Sequence, residues 1–254
     1  MNPELLPVIH QPENTDKDVV KRFQHLNGIK GKKCLCIGYT SEEIDEYIKK
    51  YRPEEIVCLT LWTDHNDAKI DGFELIIGDI TKTTPFADNE FDAIITLSLL
   101  EHVSSLKDAF AEIRRILKPD GFFYSYFGPC WSSCAGHHIY AKPGDPLLDF
   151  TQWKLPSHIH LLSSEPEIMS FYKKNGYSDN QCNEALFWFY KTPIINRIFF
   201  DEYLLLFNYF FYIIALETMY MDIPQKLLDK LREIYYPYLD FSTYGGSFLL
   251  KNRK

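Results

Sequence analysis

The sequence predicts an α/β fold on a mostly parallel sheet with helices on both faces. Through the first half, short apolar runs alternate with amphipathic stretches, the signature of repeated strand–helix–strand units. The runs are rich in Ile, Val and Leu without polar alternation, as strands covered on both faces are. Between them, apolar residues recur at helical spacing.

The elements follow in order. "KCLCIG" (33–38) reads as a first strand, and Ile44, Tyr47, Ile48 and Tyr51 form one face of a helix that ends near Pro53. "EIVCLTLW" (55–62), "FELIIGDI" (73–80) and "FDAIITLSLL" (91–100) read as strands two to four. Leu106, Ala109, Phe110, Ile113, Ile116 and Leu117 make the next helical stripe, which "KPDG" stops before a fifth strand, "GFFYSYF" (121–127). From Gly128 to Ser164 the rhythm breaks into a segment rich in Gly, Pro, His and Trp, too aromatic for disorder. "SEPEIMSFYKKNGY" is a helix with Ser164 as cap, Glu167 closing a capping box and Gly176 at its end. "ALFWFY" (185–190) reads as a strand, residues 194–236 as two or more helices broken near Pro224, and "GGSFLLKN" (245–252) as a closing strand. The chain divides on this reading into an N-terminal helical extension (1–30), an α/β core (31–192) holding the irregular segment 128–164, a helical insertion (193–240) and a closing strand (241–254).

Composition bounds the partners. A formal net charge of -8 repels nucleic acid and anionic membranes, so neither is the expected main partner. Six scattered cysteines, three of them in apolar strands, point to a reducing, cytoplasmic setting, and the N-terminus carries no secretion pattern. The most apolar stretch, "YLLLFNYFFYIIAL" (203–216), falls short of the ~20 residues a membrane helix needs and reads as a buried helix.

Four motifs then appear in a fixed order: "GDI" closing strand three, "PFADNEFDAI" leading into strand four, "LEHV" after it, and "EIRRILKPDGF" before strand five. In these, over roughly residues 31–127, the chain resembles the class I S-adenosylmethionine-dependent methyltransferases, small-molecule enzymes among them. The resemblance implies a doubly wound, Rossmann-like sheet of seven mostly parallel strands, with a helical, aromatic-rich insertion near the C-terminus. It implies S-adenosylmethionine as cofactor and S-adenosylhomocysteine as product, lying across the carboxyl ends of strands one to four. Asp79 matches the carboxylate at the adenine end and Ile80 the residue that packs on the ring, while Thr96 and Leu97 match the backbone facing the methionine part. Asp79 also suits an ordinary strand-end turn. Gly38 and Tyr39 fall at the first turn, and Thr60 stands where the family usually has a ribose-binding carboxylate.

That first turn departs from the family pattern. Where a carboxylate and then Gly-x-Gly-x-Gly are usual, this chain has Cys36, Gly38, Thr40 and Glu42. Thr40 and Glu43 fit a capping box, by which the helix satisfies its own first donors.

Four of the eight histidines lie at 137, 138, 158 and 160. His137 or His138 is the expected general base or acceptor clamp, because an acceptor hydroxyl or amine loses a proton around methyl transfer. The other reading has them capping turns. Cys130, Cys134, His137 and His138 supply metal-ligand chemistry at a spacing that matches no standard zinc site, so no metal is expected. Glu101 and His102, in "LEHV", fit loop ordering as well as chemistry. Trp188, Phe199, Tyr203, Phe207 and Phe211 read either as an apolar wall for the acceptor or as core, and this segment also suits a homodimer contact. Two functions stand: methyl transfer to an oxygen or nitrogen of a small-molecule acceptor, or a non-catalytic binding or assembly module on the same fold.

Overall fold

The computed structural model describes residues 28–38, 50–61 and 74–254. The expected N-terminal extension as far as residue 27, Tyr39, the Thr40–Glu43 capping box and most of the helix through Ile44 and Tyr47 lie outside the described residues.

Among the described residues seven strands form one sheet: β1 (Lys33–Ile37), β2 (Glu55–Thr60), β3 (Glu74–Ile77), β4 (Phe91–Leu97), β5 (Leu117–Phe127), β6 (Phe211–Tyr220) and β7 (Thr243–Asn252), in the order β3-β2-β1-β4-β5-β7-β6. The pairs among β1 to β5 are parallel, and β7 runs antiparallel to β5. Cys34, Leu35, Cys36 and Ile37, every residue of β1 after the first, are buried, which is why the strand shows no polar alternation. β5 begins at Leu117, ahead of the expected Gly121. Its register against β4 slips between the Phe91↔Leu117 and Ala93↔Phe122 pairs, and the slip absorbs "KPDG".

Helix α1 (Leu106–Ile116) starts at Ser105, whose hydroxyl oxygen accepts from the Asp108 N–H, and buries Leu106, Ala109, Phe110, Ile113 and Ile116. Phe110 stacks on Phe207 at 5.2 Å and meets Phe211 edge-on at 5.7 Å; Phe207 packs on Phe248 at 4.6 Å. Phe207 is fully buried, so Phe207→Ala is expected to cost about 4 kcal/mol in urea denaturation. A loss under about 1 kcal/mol would show that this aromatic cluster is loosely packed.

The chain forms two compact units. The sheet unit takes in the described residues before Gly128, Leu204–Glu217 and Gly246–Lys254; the histidine-rich unit takes in Gly128–Tyr203 and Thr218–Gly245. The histidine-rich unit contains α2 (Glu165–Lys174), whose Ser164 and Glu167 make the expected capping box, and Gly176 beyond it adopts φ +84°.

Two expectations fail here. "ALFWFY" is not a strand but the end of helix α3 (Asp179–Tyr190), begun by a capping box of Ser178 and Gln181 and burying Cys182, Ala185 and Phe189 on one face. The apolar stretch 203–216 is not one buried helix. Helix α4 (Phe200–Phe210) gives way to β6, where aromatic and β-branched residues favour an extended chain. A further helix, α5 (Gln225–Ile234), follows Pro224. No helix among the described residues is long and apolar enough to cross a membrane. None of the six cysteines forms a disulfide and all are buried, and burial pushes the Cys34 thiol up to about 12.

Candidate cofactor site and the histidine cluster

β1, β2, β3 and β4 end in one row. Ile37 pairs with Leu59 on one side and Thr96 on the other, and Thr60 pairs with Ile77. Gly38, Thr60, the Gly78–Asp79 turn and Leu97 thereby share the carboxyl edge of the sheet. The strand order reverses between β1 and β4, the place where open α/β sheets form a ligand crevice.

Gly38 holds φ +93°, and its N–H donates to the Leu59 carbonyl at 2.8 Å. A Cβ there would stand 3.2 Å from Leu99 Cδ1, so both backbone and space call for glycine. Asp79 forms a local turn: its Oδ1 accepts from the Thr81 N–H and hydroxyl, both at 2.8 Å. Its Oδ2 accepts no hydrogen bond among the described residues, and Ile80 beside it is buried. Thr60 is buried, and its carbonyl accepts from the Gly78 N–H at 2.8 Å. Thr96 is buried and donates its hydroxyl to Ser125 Oγ of β5 at 2.8 Å; Leu97 is buried next to it. Ser125 escaped sequence reasoning because its partner lies on another strand. Glu101 and His102 stand on a short helical turn (Leu100–His102) after β4, the first buried and the second exposed.

The loop before β4 is held by one carboxylate. Glu112 of α1 accepts from the Thr84 N–H and hydroxyl at 2.7 and 2.6 Å and from Arg115 Nη2 at 2.7 Å, and Arg115 reaches on to Asp88 at 2.7 Å and the Phe86 carbonyl at 2.9 Å. Burial alone would raise the Glu112 pKa, but the Arg115 and Thr84 hydrogen bonds hold it below the ordinary range. The "PFADNEF" and "EIRR" motifs are thus two halves of one anchor.

The residues present fit one end of S-adenosylmethionine. The spare Asp79 oxygen offers an acceptor for an exocyclic amine, Ile80 an apolar surface, and the glycine turn close backbone approach. At the methionine end Cys36 is a buried thiol and supplies no countercharge to an ammonium. An apolar cavity of about 220 Å³, lined in part by Ile29, Lys32, Ala93 and Phe122, lies beside the entry to β1, away from this edge.

In the histidine-rich unit all four clustered histidines are buried. The His137 ring lies 4.8 Å from Phe189 and 5.4 Å from His160, and its Nδ1 accepts from the Ile139 N–H at 3.1 Å, which assigns its proton to Nε2. His138, at φ +46°, places Nδ1 3.0 Å from the Gly136 carbonyl, so Nδ1 carries the proton and Nε2 the lone pair. His158 Nε2 donates to the Phe241 carbonyl at 2.9 Å and His160 Nε2 to the Trp131 carbonyl at 2.8 Å. Burial pushes His158 down to about 4, His160 down to about 3, and His137 well below its ordinary value. Cys134 Sγ lies 3.3 Å from Met221 Sδ, and no three-ligand group among the described residues contains Cys130 or Cys134.

The aromatic residues read as a wall or as core are mostly core. Tyr203, Phe207 and Phe211 are fully buried, and Phe199 stacks on Tyr238 at 4.2 Å. Trp188 is half-buried against the cluster of Ile139, Ile168, Tyr172 and Phe189.

Comparison with known proteins bears on the fold and on part of the sequence. The family model described as "Methyltransferase domain" matches residues 35–125. Geranyl diphosphate C-methyltransferase from Streptomyces coelicolor A3(2) superposes with a TM-score of 0.53 at 12% identity, covering 96% of this chain and 83% of that one. The YcgJ protein of Bacillus subtilis superposes at 0.51 with 13% identity, covering 94% and 99%. In sequence, the sterol 24-C-methyltransferase ERG6B of Gibberella zeae is 43% identical over 56 residues, which are 22% of this chain and 14% of that protein. Residues 35–125 thus match a methyltransferase-domain family model, and the fold is the one shared by these solved structures.

Proposed function

We propose that the chain transfers the methyl group of S-adenosylmethionine to an oxygen or nitrogen of a small-molecule acceptor. The carrying observation is the row at the carboxyl edge, where the φ +93° turn at Gly38 stands beside Asp79 and its spare oxygen. Asp79 and Ile80 hold the adenine end, Gly38 lets the backbone approach, and Thr60 gives the ribose a hydroxyl partner. Bound there, the cofactor supplies an electrophilic methyl on sulfur.

The two adjacent histidines take different parts. His138 carries its lone pair on Nε2 and accepts the proton that the acceptor loses. His137 carries its proton on Nε2 and serves as a donor that clamps the acceptor.

Titration calorimetry with S-adenosylhomocysteine tests the reading. Asp79→Ala is expected to weaken binding by about tenfold or more, the loss of one hydrogen bond to a charged group. His138→Asn is expected to leave that affinity unchanged while lowering turnover about a hundredfold. Absence of binding at millimolar ligand would instead favour the non-catalytic binding or assembly module, for which Cys36 is the supporting observation. A carbon acceptor is the second catalytic reading, suggested by the similar proteins named for C-methyl transfer. It predicts a product whose new methyl is bonded to carbon, which NMR of the product reads.

A further inference from the structure

The outer edge of the sheet is apolar and open. β6 ends the strand order, so among the described residues one side of its backbone has no strand partner. Leu205 and Tyr209, before it in α4, are each 70% exposed; within it Tyr212 is 53% and Ile214 52% exposed, with Ile213 and Leu216 also exposed. Residues 204–216 contain no charged side chain, and Glu217 is the single charge of the strand. A long, flat, apolar edge without lysine or proline is what proteins that stay monomeric avoid.

We propose that this edge pairs with the same edge of a second copy of the chain, antiparallel about a two-fold axis, to make one continuous sheet. Three points favour a second copy. The first is area: the exposed apolar side chains of β6 (Tyr212, Ile213, Ile214 and Leu216) amount to roughly 350 Å² per copy before any edge backbone is added, against the ~800 Å² that each partner of a standard interface contributes, which suits a dimer of moderate affinity. The second is self-complementarity. With the axis at Ile214, that residue lies opposite its own copy and Tyr212 lies opposite Leu216, an aromatic–aliphatic cross-strand pair. The third is charge. Antiparallel pairing about Ile214 sets each Glu217 opposite Phe211 of the other copy, six residues along from the other Glu217, so the two carboxylates stay about 20 Å apart. A membrane surface is the poorer fit, because the chain's net charge of -8 opposes approach to anionic lipid.

Sedimentation equilibrium on the full chain tests the pairing. The wild type is expected to be a dimer at micromolar concentration, and Ile214→Lys, which sets two ammonium groups opposite each other at an exposed position, to weaken it at least about tenfold with an unchanged circular dichroism spectrum. Hydrogen exchange on the wild type gives a readout free of mutation: β6 amides should become protected as concentration rises. A wild-type monomer at high micromolar concentration, a dimer indifferent to Ile214→Lys with unprotected β6 amides, or a monomer that binds neutral phosphatidylcholine vesicles through β6 would each overturn the proposal.

Discussion

Lowering the pH from 7 to 5 is expected to remove several kcal/mol of stability from the histidine-rich unit, about 2 kcal/mol each for His158 and His160, with His137 acting in the same direction. His137, His158 and His160 are neutral in the folded chain because burial disfavours the charged ring; His158 is pushed down to about 4 and His160 to about 3. Unfolded, each titrates near its ordinary value of about 6.5. Below that value the unfolded chain binds more protons than the folded one, so stability rises with pH. The full stability is present above pH ~6.5 and falls as pH drops, levelling only where the folded rings protonate as well. Since a whole domain is held by roughly 5–15 kcal/mol, this is a large fraction of its stability at pH 5. Urea denaturation across this range reads the slope. His160→Asn should reduce it by one proton, and a wild-type profile flat between pH 7 and 5 would mean that these rings are hydrated or charged in the fold.

Gly136→Ala is expected to cost about 4 kcal/mol, more than most core truncations outside aromatic residues. A Cβ at residue 136 would lie 2.4 Å from the Trp131 carbonyl oxygen and 2.5 Å from that of Cys130. Both are backbone atoms inside successive tight turns, in which the Ser133 N–H donates to the Cys130 carbonyl and the His138 N–H to the Ala135 carbonyl. Neither can swing aside as a side chain would. The Trp131 carbonyl is also the acceptor for His160 Nε2, and His160 Nδ1 already lacks a partner among the described residues. Displacing that carbonyl leaves a buried ring unsatisfied at both nitrogens. Denaturant midpoints of the variant and wild type decide it, and a difference under about 1 kcal/mol would show that the 130–138 turns are adaptable.

Much of the sheet was legible because burial on both faces writes itself into composition: "EIVCLT" and "FDAIITL" have no other comfortable home. Helix α1 was legible because its stripe repeats at 3.6 residues and its cap precedes it. "ALFWFY" misled because four large apolar residues in a row hide the helical period, and the decisive signal, Ser178 with Gln181, lies upstream. β6 misled for the opposite reason, since hydrophobicity was read as burial where the strand is exposed at an edge. At the candidate site, the row of Gly38, Thr60, Asp79 and Thr96 follows from local motifs. The histidine partners do not: His158 bonds a carbonyl 83 residues away and His160 one 29 residues away, and no local pattern encodes such distances.

The six buried cysteines divide evenly. Cys34, Cys36 and Cys58 belong to the sheet unit, and Cys130, Cys134 and Cys182 to the histidine-rich unit. All six are buried, and burial raises the pKa of Cys34, Cys134 and Cys182, so an alkylating reagent meets these thiols only when the surrounding structure opens. Each unit therefore carries its own chemical clock. Pulse alkylation followed by peptide mass spectrometry would time the opening of the two units independently in a single unmodified sample, with acid expected to advance one clock before the other.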